Sequence, residues 1–179
     1  MEQNKLSADR KLKAKDFINL GIFSVLFIII FFVCIMCMSF VPVTQPFGLA
    51  LCALIAGPVY MLMRAKVAKT GGILIFGALY ALVVYATGSG WPMVIAILVG
   101  SVIAELLALA GKYRNVGLNT LGYMIFMVAA AIGSYTPLLM MKDYYLDLAA
   151  GNSVNGEFMT QLVNFINGPI LIGAFALTA

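Results

Sequence analysis

Glu105 is the one ionisable side chain that lies well inside a long apolar run of this sequence. A carboxylate within a membrane is costly, so its presence there marks a functional candidate. Lys112 follows one heptad later on the same helical face, and Arg64 and Lys66 lie beside a neighbouring loop. We therefore expect a structural or partner-contacting ion pair, with a proton-relay or substrate-binding role as the secondary interpretation.

A second group of chemically useful side chains gathers near the ends of the apolar runs. Small-molecule pockets combine aromatic walls with a few convergent polar groups, and the residues that fit this description are Gln45, Trp91, Tyr135, Asn164 and Asn167. Asn164 and Asn167 are one turn apart on one helical face, where an unpaired amide is costly in hydrocarbon. The alternative is that the aromatic residues form an interfacial belt and the asparagines cap a helix.

Catalysis and metal binding have little support in the residue types. The chain has no His, no nucleophile-elbow serine, no paired carboxylates within an apolar run and no phosphate-binding glycine loop. Cys34 and Cys37 have CxxC spacing, but a structural zinc site needs four ligands. We expect no enzymatic activity, no metal and no cofactor, and small apolar roles for these thiols.

The composition requires a membrane. With 63% hydrophobic and 10% charged residues, the chain is too apolar for a soluble domain, in which about a quarter of the residues are charged. The apolar runs have the length of helical spans and do not alternate as barrel strands do. We predict an all-α integral membrane protein, a single domain over 1–179, with six spans at about residues 17–38, 47–63, 72–85, 92–110, 118–141 and 161–179.

The basic residues set the predicted orientation. Ten of the 11 lie before the first span or in the loops after spans two and four, and the exception is Lys142. The positive-inside rule then gives an N-in, C-in bundle. Gln45, the Gly88–Pro92 turn and the 142–160 segment face outward. The basic residues lie at the ends of the spans and do not cluster with aromatic residues. The net charge of +4 therefore does not indicate nucleic-acid binding.

Small residues recur at helix-packing spacing and let helix backbones approach closely. For Gly100, Ala104 and Ala108 we favour packing inside the bundle. In the first span we consider packing and an external partner equally, and the candidate docking residues are Ala14, Gly21 and Ser24.

Four segments together resemble the Trep_Strep family of small bacterial membrane proteins over essentially the whole chain. They are KLKAKDFIN at 11–19, CALIAGP at 52–58, GSGWP at 88–92, and Glu105 with GKY at 111–113. Such proteins are similar to substrate-binding (S) components of energy-coupling factor (ECF) transporters, a branch of the ABC transporters.

The resemblance implies a multi-pass protein of the bacterial cell membrane that captures a vitamin-like or other small molecule from outside. It further implies an ECF scaffold membrane protein and two ATPase subunits as partners, with ATP bound only by those partners. By position, Gln45, Trp91, Tyr135, Asn164 and Asn167 match the substrate site. Ala14, Gly21 and Ser24 approximately match the docking face. The competing hypotheses are a non-transporting scaffold or accessory subunit, and a proton-coupled carrier that uses Glu105.

Overall fold

The computed structural model describes residues 12–41, 43–151, 156–166 and 168–179, and the regular structure in these ranges is helical. A short 3₁₀ helix, Gln45–Phe47, follows the first α-helix. The α-helices are α1 (Ala14–Met38), α2 (Gly48–Lys66), α3 (Gly72–Ala86), α4 (Trp91–Ala110), α5 (Val116–Met140), α6 (Lys142–Gly151), α7 (Gly156–Phe165) and α8 (Gly168–Thr178). The prediction of an all-α chain is confirmed for these described ranges.

Four segments of the described chain are long and apolar enough to cross a membrane. The first is α1, and the second is the 3₁₀ helix together with α2. The third is α4, and the fourth is α5 up to Leu138. Helix α3 has 15 residues and is about 22 Å long at 1.5 Å per residue, which is less than the roughly 30 Å of a hydrocarbon core. Helix α8 has 11 residues. The structure therefore supports four candidate spans and two shorter apolar helices, and the six-span count is not established.

The predicted sixth span is not one continuous helix. Helix α7 ends at Phe165 and α8 begins at Gly168, while the segment predicted as a polar loop after α5 contains α6 and the start of α7. Pro169 explains why a new helix begins here, because proline cannot donate to the preceding turn and suits the first turn of a helix.

Glycine and alanine bring α4 and α5 into close contact. A Cβ on Gly100 would lie 2.8 Å from the Ala129 Cβ, and one on Gly133 would lie 2.5 Å from the Ala96 Cβ. Nothing larger than hydrogen fits at either position without moving a helix. The prediction that the small residues of the fourth span pack within the bundle is confirmed.

An aromatic cluster joins α1, α3 and α5 in the core. Phe27 makes edge-to-face contacts with Phe76 and Tyr80, at centroid distances of 4.9 and 5.4 Å, and Phe126 packs against all three rings. Each such pair contributes about 0.5–1.5 kcal/mol beyond the area that it buries. The outer faces of the helices expose large aliphatic side chains, including Ile18, Leu54 and Leu106, as a lipid-facing surface requires.

The two ends of the bundle differ in charge. Residues 12–16, 67–71 and 111–115 meet at one end, called here the basic end, where the Lys69 Nζ lies 2.7 Å from the Asp16 Oδ2. The described residues of 39–47 and the turn at 87–90 lie at the other, called here the opposite end. The membrane sides of the two ends are a prediction from charge alone.

Candidate functional site

Two of the predicted binding residues meet at the opposite end. The Tyr135 hydroxyl of α5 donates a hydrogen bond to the Gln45 backbone carbonyl at 2.9 Å. The Gln45 side-chain oxygen in turn accepts from the Ser39 hydroxyl at 2.7 Å. Tyr135 is buried, and Pro46, the second residue of the 3₁₀ helix, is buried as well. The connection between α1 and α2 is thereby fixed to the end of α5.

Trp91 lies apart from that pair. It is the first residue of α4, about half exposed, and it borders a groove of about 410 Å³ between α4 and α5. The groove is lined by Trp91, Pro92, Ile95, Ala96, Val99, Ala129, Ile132, Gly133, Thr136 and Pro137. Because nearly all of this lining is apolar, the groove suits an aliphatic or aromatic group better than a polar one.

The structure describes one of the two predicted asparagines. Asn164 lies in the last turn of α7 and is exposed, and Asn167 lies outside the described residues. The structure therefore joins Gln45 to Tyr135, places Trp91 on the adjacent groove, and leaves Asn164 outside the lining of that groove. The five-residue pocket stays a prediction.

The predicted docking residues lie on two sides of α1. Ala14 is exposed, and a Cβ on Gly21 would meet nothing within 4 Å. Ser24 is only 2% exposed and points toward the bundle, where its hydroxyl has no hydrogen-bond partner among the described residues. A partner that approaches α1 from outside can contact Ala14 and Gly21, but Ser24 is covered by this chain.

At the basic end, Glu105 joins three segments of the chain. One carboxylate oxygen accepts from the Gly71 backbone N–H at 2.7 Å and from the Tyr113 hydroxyl at 2.9 Å. The other oxygen accepts from the Ile73 backbone N–H at 3.0 Å. The carboxylate thus satisfies free N–H groups at the start of α3, where the helix dipole also favours negative charge.

The expected ion pair of Glu105 within this chain is therefore wrong, whereas an ion pair with a partner protein stays a prediction. Its hydrogen-bond donors are two backbone amides and a phenol, and not Lys112, Arg64 or Lys66. The sequence analysis looked for a charged partner, whereas the start of the neighbouring helix α3 supplies neutral donors.

An unusual turn places Tyr113 over this network. Lys112 and Tyr113 both have positive φ, 50° and 61°, a conformation that costs non-glycine residues roughly 1–2 kcal/mol each. The turn brings the Tyr113 ring back against the bundle, where it is buried. Burial raises the pKa of its phenol, so the hydroxyl remains a neutral donor to Glu105.

Arg64 packs against the face of the Tyr113 ring. Its guanidinium carbon lies 5.2 Å from the centre of the Tyr113 ring, and its Nη1 donates to the Val67 carbonyl at 3.0 Å. Arg64 is 2% exposed, and its Nε and Nη2 have no partner among the described residues. Sequence reasoning treated Arg64 only as an orientation signal and a possible partner of Glu105. The spacing of Arg64 and Tyr113 in the sequence gives no indication that they stack.

Asp16 and Lys69 close the basic end. Asp16 accepts from the Lys13 backbone N–H at 2.7 Å, which caps the start of α1, and it pairs with Lys69 through the same oxygen. This contact fixes the loop that carries Gly71, and therefore supports the geometry around Glu105.

The thiols and acids of the described residues do not form a metal-binding group of three. Cys34 and Cys52 are buried, while Cys37 is exposed on α1, and none of the three is in a disulfide.

Comparison with known proteins identifies the family and no closer relative. No curated protein and no solved structure matches the chain. One family model, described as a hypothetical bacterial integral membrane protein (Trep_Strep), matches residues 14–179. The match covers every helix from α1 to α8, so this chain belongs to the Trep_Strep family of bacterial integral membrane proteins.

Proposed function

We propose that this protein is the substrate-binding membrane component of an energy-coupling factor transporter. It captures a vitamin-like or other small molecule from outside and depends on a scaffold membrane protein and two ATPase subunits for import. In this proposal the basic end is cytoplasmic, in accord with the positive-inside rule. The chain crosses the bacterial cell membrane six times, with α3 as a short third span and α7–α8 as a broken sixth.

The observation that carries the proposal is the hydrogen bond from Tyr135 to the Gln45 carbonyl. It fixes the first outward loop on the end of α5, so that loop and helix form one rigid surface instead of moving independently. The 3₁₀ helix of that loop also packs against α8. A capture site needs such a preorganised surface, because ordering a loose loop on binding costs affinity.

The groove beside Trp91 supplies an apolar wall at the same end of the bundle. A ligand with an apolar part can lie in this groove while its polar part reaches toward the Gln45 loop. Pro92 restricts the start of the helix that presents the indole, and Gly88 allows the preceding turn because its φ of 83° is one that other residues rarely adopt.

The open side of α1 is the proposed contact for the scaffold protein. Gly21 has free space around it, and large aliphatic side chains, Ile18, Ile22 and Val25, are exposed on both sides. A flat site with a glycine at its centre lets another membrane helix approach closely.

The proposal is tested by looking for a small molecule that remains bound after purification in mild detergent, using native mass spectrometry. We expect a bound molecule, and we expect Trp91→Ala combined with Asn164→Ala to weaken its binding without unfolding the bundle. Tyr85→Ala is the matched control, because Tyr85 is an exposed aromatic residue at the same end that does not line the groove. An empty bundle that is indifferent to every ligand tried contradicts substrate capture, and unchanged affinity in the double variant refutes the pocket.

Uptake into vesicles separates transport mechanisms. Import by an energy-coupling factor transporter requires ATP and the partner subunits. Uptake that continues without ATP, and that is lost in Glu105→Gln, indicates the proton-coupled carrier instead. A protein that binds no solute but remains associated with a transporter indicates the accessory subunit.

A further inference from the structure

Arg64 presents an unused pair of donors at the basic end. Its Nη1 is bound to the Val67 carbonyl, while Nε and Nη2 have no partner among the described residues. These two nitrogens form one edge of the planar guanidinium, and that edge matches two oxygens of a phosphate or carboxylate with parallel hydrogen bonds. A buried donor without a partner costs about 1–3 kcal/mol, so a ligand that fills this edge is stabilised.

Glu105 does not fill it. Its two oxygens are already held by Gly71, Ile73 and Tyr113. The hydroxyl of Tyr113 contacts Glu105, while the Tyr113 ring packs against Arg64. The arginine therefore keeps a free hydrogen-bonding edge although an acid lies in the same part of the bundle.

The Arg64 side chain lines a cleft between α2 and the start of α5. The cleft has a volume of about 360 Å³ and is lined by Met61, Arg64, Ala65, Ala68, Tyr113, Arg114, Val116 and Asn119. Asn119 is 7% exposed, and its side-chain oxygen also has no partner among the described residues. Arg114 is exposed at the entrance. Two arginines and a buried amide with unmet hydrogen bonds thus meet in one apolar-walled cleft.

We propose that this cleft binds the phosphate group of an anionic ligand. Arg64 would bind two phosphate oxygens along its free edge, Arg114 would add a second positive charge, and Asn119 would contact a hydroxyl or a protonated oxygen of the ligand. This site is separate from the proposed substrate pocket and lies at the other end of the bundle. A phosphate matches the donor set better than a neutral ligand, because both arginines remain charged in proteins.

Two sources can supply this phosphate. Arg64 lies two residues before the end of α2, and Arg114 two residues before the start of α5, so the cleft lies close to the level of lipid head groups. Basic pockets between membrane helices bind anionic phospholipid head groups in this way. Free inorganic phosphate offers the same chemistry from the aqueous side.

The experiment uses the full chain in mild detergent and two probes. Native mass spectrometry compares retention of phosphatidylglycerol with retention of phosphatidylcholine. Thermal unfolding compares stabilisation by sodium phosphate with sodium chloride at equal ionic strength. The variants are Arg114→Gln, which removes an exposed charge with little risk to folding, and Arg64→Lys, which keeps the charge but removes the two-donor edge. Lys66→Gln is the control, because Lys66 is an exposed basic residue of α2 outside the cleft lining.

We expect preferential binding of at least one phosphate probe. Both arginine variants should weaken it about tenfold or more, the loss that follows from removing a hydrogen bond to a charged group, and Lys66→Gln should change it less than twofold. If phosphatidylglycerol is preferred and sodium phosphate does not stabilise the protein, the cleft is assigned to lipid. If sodium phosphate also stabilises the protein, the cleft is assigned to the free ion. The proposal is overturned if neither probe binds, or if Lys66→Gln weakens binding as much as Arg114→Gln does. Should Arg64→Lys fail to fold, the comparison of Arg114→Gln with Lys66→Gln decides.

Discussion

Replacing Glu105 by glutamine tests the network at the basic end. The amide keeps one oxygen, which can still accept from the Gly71 N–H and the Tyr113 hydroxyl, but these bonds lose the charge of the acceptor, at about 1 kcal/mol each. The Ile73 N–H then faces an NH₂ group and loses its acceptor, which costs about 1–3 kcal/mol. The sum predicts that Glu105→Gln lowers the free energy of unfolding by about 3–5 kcal/mol.

The measurement is unfolding in mixed micelles titrated with dodecyl sulfate, followed by circular dichroism and by the fluorescence of Trp91, the single tryptophan. Amide hydrogen exchange gives the local readout, because the Gly71 and Ile73 amides should exchange faster in the variant. Ser101→Ala is the control. Ser101 lies one turn away on α4, is buried, and donates only to the Leu98 carbonyl of its own helix, so we expect a loss below about 1 kcal/mol.

A double-mutant cycle with Tyr113→Phe then measures the coupling energy between Glu105 and Tyr113. Tyr113→Phe removes the phenol donor to Glu105 and leaves the ring that packs on Arg64. The two substitutions should be non-additive by about 0.5–3 kcal/mol, as for residues that share one network. If Glu105→Gln costs no more than Ser101→Ala, or if the two amides exchange at unchanged rates, the description of Glu105 as the acceptor for α3 is refuted.

Three further predictions concern the other parts of the fold. Tyr135→Phe removes the hydrogen bond to Gln45 and should lower the free energy of unfolding by about 1 kcal/mol. It should also weaken retention of any co-purifying ligand, and unchanged retention would show that this hydrogen bond is not needed for ligand binding. Gly133→Val should cost at least about 1–3 kcal/mol in the same micelle titration, because its Cβ would lie 2.5 Å from that of Ala96; a neutral result would contradict the tight α4–α5 contact. Gly21→Leu should leave the isolated chain as stable as before, since nothing lies within 4 Å of that position, and should reduce co-purification with a scaffold protein if α1 is the docking helix.

The sequence predicted the helices well where one physical signal dominated. Long apolar runs between polar residues located α1, α2, α4 and α5 to within a few residues, because hydrocarbon forces the backbone to bond within each helix. The same rule was misleading for the last predicted span. Hydropathy averages over residues and does not register that Gly168-Pro169 starts a new helix, so α7 and α8 were read as one element.

The candidate sites were harder to predict, because they depend on which elements meet. Gln45 and Tyr135 were grouped correctly by their position near the same end, yet their contact uses a backbone carbonyl of Gln45, which no residue type reveals. Packing within the bundle and contact with an external partner were both left open for Ser24, because helical period alone does not say which side of α1 packs on α2 and α3. Arg64 was noted for its charge, while its burial follows from a turn at Lys112 and Tyr113 whose positive φ values are rare for these residue types.

The partners of Glu105 also bear on the hypothesis of a proton-coupled carrier. Of the three groups that donate to it, two are backbone amides, which do not take up or release protons during transport, so a relay through this contact network has to pass through the Tyr113 hydroxyl. Tyr113→Phe blocks that step and leaves the carboxylate in place. Uptake that survives Tyr113→Phe but not Glu105→Gln therefore rules out a relay through this hydroxyl. A relay through the phenol instead predicts that each of the two variants abolishes uptake, because the proton then has to pass between the hydroxyl and the carboxylate.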